Sequence, residues 1–286
     1  MIKISLDEKL RPSSMKNLVL LDRVKAVLPE PLELSQNLML YSVSPGLGKS
    51  SYCNLFLKTH DCLRINSSLE GKIDVVRDEI EKFCLTQSFK FNDRKKVVIF
   101  EEADSLSRNV FMALQPLIES YHNNVIFICN LNKINKVPES FRSRFLPINF
   151  EPITDLEEQE LIKKLKKYLT AVCKRFSEDT VFENNTVLET FIKNNFPSIR
   201  NMLKQLQSFI ESGTKTITLD ILNTTNGNEN LGKYVKLFDL ILDKNADSVK
   251  TYQTIIGNYS NRMNELLSIL STGFIDWQMK PINQTL

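Results

Sequence analysis

A chain of 286 residues has room for one large domain or two to three small ones, each able to bury a core. Its hydrophobic share of 42% and charged share of 25% argue against disorder, and no apolar run approaches the ~20 residues of a membrane span. The net charge of +3 is too small to imply a nucleic-acid-binding surface, so any such role falls to a local patch.

Five scattered cysteines lack a C-x-x-C pair, and the chain has only two histidines. This pattern points away from zinc and towards reduced thiols in a cytosol. The start, Met1-Ile2-Lys3-Ile4-Ser5-Leu6-Asp7-Glu8, is too short and too charged for a signal peptide.

The lead-in Leu6-Asp7-Glu8-Lys9-Leu10-Arg11-Pro12 reads as a surface segment closed by a rigid turn. Residues 32–44 then predict a short buried strand followed by Ser42-Val43-Ser44-Pro45-Gly46-Leu47-Gly48-Lys49-Ser50-Ser51. A strand emptying into a small-residue loop that ends in Gly-Lys-Ser is the pattern of a phosphate-binding loop. Gly46 and Gly48 lack a Cβ, so backbone N–H groups can turn inward around an anion. The helix beginning near Lys49 directs its positive end at the same point. Lys49 is expected to reach β- and γ-phosphates and the Ser50 hydroxyl to ligate Mg²⁺. Val43 stands where the usual pattern G-x-x-x-x-G-K-S/T has its first glycine.

Residues 51–60 carry apolar side chains at helical spacing, and Cys62-Leu63-Arg64-Ile65-Asn66 reads as a second strand. Residues 73–83 form an amphipathic pattern, with Ile73, Val76, Ile80 and Phe83 on one face. Lys96-Val97-Val98-Ile99-Phe100-Glu101-Glu102-Ala103-Asp104 predicts a central parallel strand with carboxylates at its C-terminal end, where open α/β sheets hold ligands. Glu101 sits at the metal-side position and Glu102 at the position of the base. Residues 124–132 predict another buried strand, ending in the amides Asn130 and Asn132. Either amide can bridge a γ-phosphate and an attacking water, and either can equally be a turn signal. Ser140-Phe141-Arg142-Ser143-Arg144-Phe145 brings two arginines to the end of a short helix.

Phe150-Glu151-Pro152 marks a boundary, with Thr154 or Asp155 able to cap a long helix running to about residue 176. That helix carries the basic stretch Lys163-Lys164-Leu165-Lys166-Lys167. Helices at 181–194 and 196–212 follow, the last stopped by Gly213. Residues 224–230 form a polar linker, and 231–243, 246–259 and 261–270 read as helices without a catalytic signature. Trp277 is read as a packing anchor.

Those pieces in that order resemble the clamp-loader branch of the AAA+ ATPases, in particular the ATPase subunits of tailed-phage sliding-clamp loaders and the small subunits of eukaryotic replication factor C. The resemblance covers residues 5–212. Glu8-Lys9-Leu10-Arg11-Pro12 is similar to the family's E-K-Y-R-P, which implies that Arg11 lies near an adenine. Glu101-Glu102-Ala103-Asp104 resembles the D-E-x-D box, with Glu in place of the first Asp. Phage loaders carry Ser and Pro in the loop where Ser42-Val43-Ser44-Pro45 stands.

Counting back from Ser143-Arg144-Phe145, which resembles S-R-C, implies that Asn132 is the sensor amide, with Asn130 the near alternative. Arg144 is then an arginine finger acting on a neighbour's ATP. Pro197-Ser198-Ile199-Arg200 resembles the motif whose arginine meets the γ-phosphate in cis. Arg77, with Lys72 and more weakly Arg108, is implied to face DNA. Leu114-Gln115-Pro116-Leu117 departs from the basic residues of many relatives, and Pro116 is expected to kink its helix or end the first half.

The resemblance implies an α/β fold: an AAA+ domain with a parallel sheet over 1–151, a three-helix lid over 152–224 and an all-α collar over 229–286. It implies ATP and Mg²⁺ as ligands. The implied partners are copies of itself with a non-ATPase subunit in a heteropentamer, a sliding clamp and primer-template DNA. It also implies a cytoplasmic location, in the host cell if phage-encoded, and no membrane. The alternatives are a non-hydrolysing structural subunit of the same assembly and an AAA+ remodelling motor outside replication.

Overall fold

The computed structural model describes residues 5–225, except 69–72, 87, 89–90, 92 and 177–179. The chain divides into two compact units, Met1–Ile217 and Thr218–Leu286. Of the second unit only a helix at Leu219–Thr225 and the residue before it are described. The collar helices expected over 231–270 and Trp277 lie outside the described residues.

The first unit begins with two short helices, α1 (Leu6–Lys9) and α2 (Asp22–Val27). Strand β1 (Leu38–Tyr41) then runs into the loop and helix α3 (Lys49–Phe56). Strand β2 (Cys62–Asn66), helix α4 (Ile73–Leu85), strand β3 (Lys96–Glu101) and helix α5 (Arg108–Tyr121) follow. Strand β4 (Val125–Leu131), helix α6 (Glu139–Arg142) and strand β5 (Leu146–Asn149) complete a sheet ordered β2-β3-β4-β1-β5, parallel throughout.

β4 is buried along its whole length and β3 up to Phe100, which is why Val97–Phe100 and Val125–Cys129 are apolar runs. Phe100 and Phe127 stack across adjacent strands, and Phe111 of α5 meets Phe141 of α6 edge-on at 4.8 Å. Each fully buried side chain of this size stabilises the fold by roughly 1.5–3 kcal/mol. Because all five strands are parallel, their C-terminal ends share one edge, and the loops after β1, β3 and β4 meet there.

One expected alternative is ruled out here, and one strand is additional to those expected. Pro116 does not end its helix: α5 runs from Arg108 to Tyr121 with the proline inside. Proline removes one N–H, but α5 is held by its apolar face, where Val110, Phe111, Leu114, Leu117 and Ile118 are buried. β5 was also absent from the sequence reading. Its Pro147 looks like a breaker, yet β5 is the edge strand, where a missing ladder donor is tolerated.

Beyond the sheet, α7 (Asp155–Phe176) starts with Glu157 N–H donating to the Thr154 hydroxyl, so Thr154 supplies the capping oxygen. Strand β6 (Val181–Phe182), helix α8 (Asn185–Asn195), helix α9 (Ile199–Glu211) and strand β7 (Thr216–Ile217) follow. The helix expected over 181–194 therefore starts later. Asn184 caps α8 by accepting from Val187 N–H, and Val181–Phe182 pairs in parallel with Thr216–Ile217. Gly213, at φ +72°, follows the last turn of α9 as a C-terminal glycine should. The Leu219–Thr225 helix is α10. Among the described residues, no helix is long and apolar enough to cross a membrane.

Candidate functional site

The loop after β1 turns on two glycines. Gly46 has φ +85° and Gly48, the residue before α3, has φ +100°. A Cβ at Gly46 would also meet the Ser198 hydroxyl at 2.5 Å, so only glycine fits. Val43 needs no such freedom. Its φ is not positive and its side chain is 78% exposed, so a Cβ there meets no obstacle.

Lys49 opens α3 with only 6% of its surface exposed. Its Nζ donates to Ser42 Oγ at 2.5 Å and to Asn132 Oδ1 at 3.0 Å. Burial pulls its pKa down to about 8; Glu151 and Asp104 oppose that shift, and the Arg200 charge adds to it. Asn132 is fixed by its backbone N–H, which donates to Asp104 Oδ1 at 3.2 Å.

Ser50, Glu101 and Asn130 form a second knot. Ser50 Oγ donates to Glu101 Oε2 at 3.2 Å, while Asn130 Nδ2 donates to Ser50 Oγ at 2.7 Å and to the same carboxylate oxygen at 2.5 Å. The other Glu101 oxygen accepts from Arg64 of β2, whose second Nη reaches Asn54 Oδ1 at 2.6 Å. A serine hydroxyl beside a carboxylate suits Mg²⁺, which takes one or two protein oxygens and completes its shell with phosphate and water. Glu102 next to it holds the left-handed conformation, φ 54° and ψ 42°, and is the only non-glycine residue with positive φ among the described residues. A glutamate in that region is uncommon and marks a position held by its surroundings. Ser105 fixes it, donating to Glu102 C=O from both its N–H and its hydroxyl.

A cavity of about 280 Å³ opens onto this edge of the sheet. Pro45, Gly46, Gly48, Lys49, Ser50, Ser51, Glu101, Glu102, Asn130, Asn132, Arg200 and Arg11 all border it. Leu47 belongs to the loop, but its side chain is buried and does not line the cavity. Arg11 pairs with Glu8 in the lead-in, and α1 is tied to α9 by Leu6 N–H donating to Gln207 Oε1 at 2.7 Å. Tyr168 of α7 and Leu203 of α9 also line the cavity. The loop also touches α9 directly, with Ile199 N–H donating to Gly46 C=O at 3.2 Å.

Arg77, Arg108 and Arg144 do not border the cavity. Arg77 is exposed on α4, its Nε 2.9 Å from Glu81, and Arg108 is exposed at the start of α5. Lys72 lies outside the described residues. Arg144 pairs with Glu119 of α5 and donates to the Ser140 carbonyl. The sequence reading missed Arg64, whose contact crosses from β2 to β3, Ser42, which accepts from Lys49 within the loop, and Glu151, which it read only as punctuation before Pro152.

The model of the ATPase family associated with various cellular activities (AAA) matches residues 39–152. The chain is similar to the sliding-clamp-loader large subunit of Enterobacteria phage T4, 28% identical over 213 residues that make up 73% of this chain and 65% of the relative. It is likewise similar to the replication factor C small subunit 2 of Pyrobaculum islandicum, 29% identical over 225 residues, 75% of this chain and 66% of that one. The chain spans 65% of the length of the T4 relative and of its counterpart from Escherichia phage RB69. Among solved structures, a mutant RuvB of Thermotoga maritima superposes with TM-score 0.59 at 17% identity, covering 92% of this chain and 86% of that one. The fold is thus the α/β fold of AAA proteins.

Proposed function

We propose that this chain is an ATPase subunit of a DNA polymerase sliding-clamp loader. The observation that carries the reading is the meeting of Lys49, the Ser50–Glu101 pair, Glu102 and two asparagines at one edge of the parallel sheet. The similarity to clamp-loader large subunits extends over 213 residues, beyond the AAA domain alone, and supports this branch of the family. The RuvB likeness is one of fold and favours no particular motor.

In this reading the triphosphate of ATP lies on the loop, facing backbone N–H groups and the positive end of α3. Lys49 binds the β- and γ-phosphates. Mg²⁺, when bound by Ser50 and Glu101, neutralises charge on those oxygens. Glu102 accepts a proton from the attacking water. Asn132, facing Lys49, is favoured over Asn130 as the amide that orients this water, because Asn130 is engaged by Ser50 and Glu101. Arg200 meets the γ-phosphate in cis, and Arg144 reaches the ATP of a neighbouring subunit. Arg11 borders the adenine.

The proposed organisation is an ATP-binding domain over 1–151, a helical lid over 152–224 and a collar over 229–286. The partners are copies of this chain and a non-ATPase subunit in a heteropentamer, a sliding clamp and primer-template DNA, in a cytoplasm. Lys72, Arg77 and Arg108 contact DNA phosphates, a sequence-independent and salt-sensitive mode.

The test is ATP turnover with and without primed DNA and a clamp, with Lys49→Ala as control. Stimulation by both supports the loader. Turnover indifferent to both sinks it, and no turnover points to a structural subunit.

A further inference from the structure

The phosphate loop is gripped at a point where its sequence is unusual. Ser44, the residue after Val43, donates its N–H to Glu151 Oε2 at 3.0 Å and its hydroxyl to Glu151 Oε1 at 2.5 Å. The topology explains the meeting. β5 pairs with β1 as far as Asn149 opposite Tyr41, and Phe150 N–H then bonds Tyr41 C=O, so the next residue arrives beside the loop.

The segment carrying Glu151 is itself fixed. Glu151 N–H donates to Asn149 Oδ1 at 3.0 Å. Arg23 of α2 donates to Asn149 C=O at 3.0 Å, to Glu151 C=O at 2.9 Å and to the Glu157 carboxylate of α7 at 2.7 Å. A two-bond grip on a loop is strong only when the gripping side chain stands on something rigid, and this one does.

We infer that Glu151 is a positioning residue for the triphosphate site: its carboxylate holds the upstream half of the phosphate loop in its binding shape and ties that loop to the start of α7. The role rests on the nucleotide reading above. In most loops of this kind the bound anion is the negative group that organises the backbone N–H groups. Here a protein carboxylate already serves the Ser44 N–H, leaving the inward N–H groups after Gly46 for the ligand. Glu151 is also the largest opposing charge on Lys49, so it favours the charged lysine.

A glutamine at this position separates grip from charge. Its amide can accept from Ser44 N–H and donate to Ser44 Oγ, so the hold persists while a like charge beside the phosphates is removed. The experiment measures the dissociation constant of a fluorescent, non-hydrolysable ATP analogue, at one fixed neutral pH, for Glu151→Ala, Glu151→Gln and Lys49→Ala. Glu151→Ala should weaken binding about tenfold, as expected for losing a charged two-bond contact, while Glu151→Gln binds at least as tightly as the unsubstituted chain. An alanine variant that binds normally overturns the inference, as does a glutamine variant that loses as much as alanine. Glutamine keeps the side-chain size, so it decides the matter if alanine fails to fold. Should Lys49→Ala bind normally, the ATP reading itself falls; loss in Lys49→Ala with a silent Glu151→Ala overturns only the role of Glu151.

Discussion

The two halves of the proposed catalytic apparatus are built differently. Around Lys49 the groups are buried: Ser42 is 1% exposed, Lys49 and Asn130 6% each, and every one has a hydrogen-bond partner. Arg144 stands at the other extreme, paired to a Glu119 side chain that is 61% exposed. Buried polar groups must be satisfied inside the chain, so the cis half is assembled before any nucleotide arrives. A surface ion pair is worth about 0–1 kcal/mol, so Arg144 can exchange Glu119 for a stronger anion at little cost. The difference suits a subunit that binds ATP alone and hydrolyses it only beside a neighbour.

The largest expected effect breaks the halves apart. Arg144→Ala should leave nucleotide affinity of the subunit unchanged and lower turnover in assembled subunits by about 10³ or more, the range of arginine fingers. Binding and turnover assays on mixtures of substituted and unsubstituted subunits check it, and loss of binding itself would refute the separation. Next comes the cis half. Lys49→Ala removes a charged contact of about 1.5–3 kcal/mol, so affinity should fall roughly tenfold to a hundredfold in the isolated chain.

A pH series sharpens the comparison further. Burial holds the Lys49 pKa at about 8, below the ordinary 10.5. Above that point the free site carries a neutral lysine, so affinity for ATP should decline as pH rises through about 8, and binding there should take up a proton. The stability of the free fold moves the other way. The unfolded chain keeps its lysine proton up to 10.5, so stability contributed by this group rises between about 8 and 10.5. Isothermal titration in buffers of different ionisation heat, with denaturant melts over the same window, reads both signs. A flat affinity profile would mean that Lys49 stays charged in the free protein.

What could be read in the sequence follows the same division. Local chemistry was legible: Gly46, Gly48, Lys49, Ser50, Glu101 and Glu102 all border one cavity, because each is set by its own strand end or loop. What was not legible is contact between segments far apart in the chain. Glu151 reaches Ser44 only because β5 lies beside β1, and β5 was missed because Pro147 in a four-residue strand resembles a breaker. Strands β6 and β7 are two residues each, too short to show alternation. The left-handed backbone of Glu102 has no signature in a glutamate. Val43 departs from the glycine pattern, yet the backbone there requires no glycine.

The smallest predicted effect tests the weak side of the comparison directly. Glu119 accepts from Arg144, whose side chain is 27% exposed, and the guanidinium also donates to the Ser140 carbonyl. If the pair is an ordinary surface contact, Glu119→Gln should change the chain's stability by less than about 1 kcal/mol, measured by chemical denaturation. Its effect on turnover is the more telling quantity. A guanidinium aimed by its partner would lose direction, and turnover in the neighbouring site would fall with no change in that site's ATP affinity. A guanidinium merely stored on Glu119 would be released, and turnover would hold or rise severalfold. The hydrogen bonds favour the second outcome: the Ser140 carbonyl remains as an acceptor after the substitution, while the competing carboxylate does not. A steep fall would instead mean that α5 carries part of the trans site, and that the exposed half is as prearranged as the buried one.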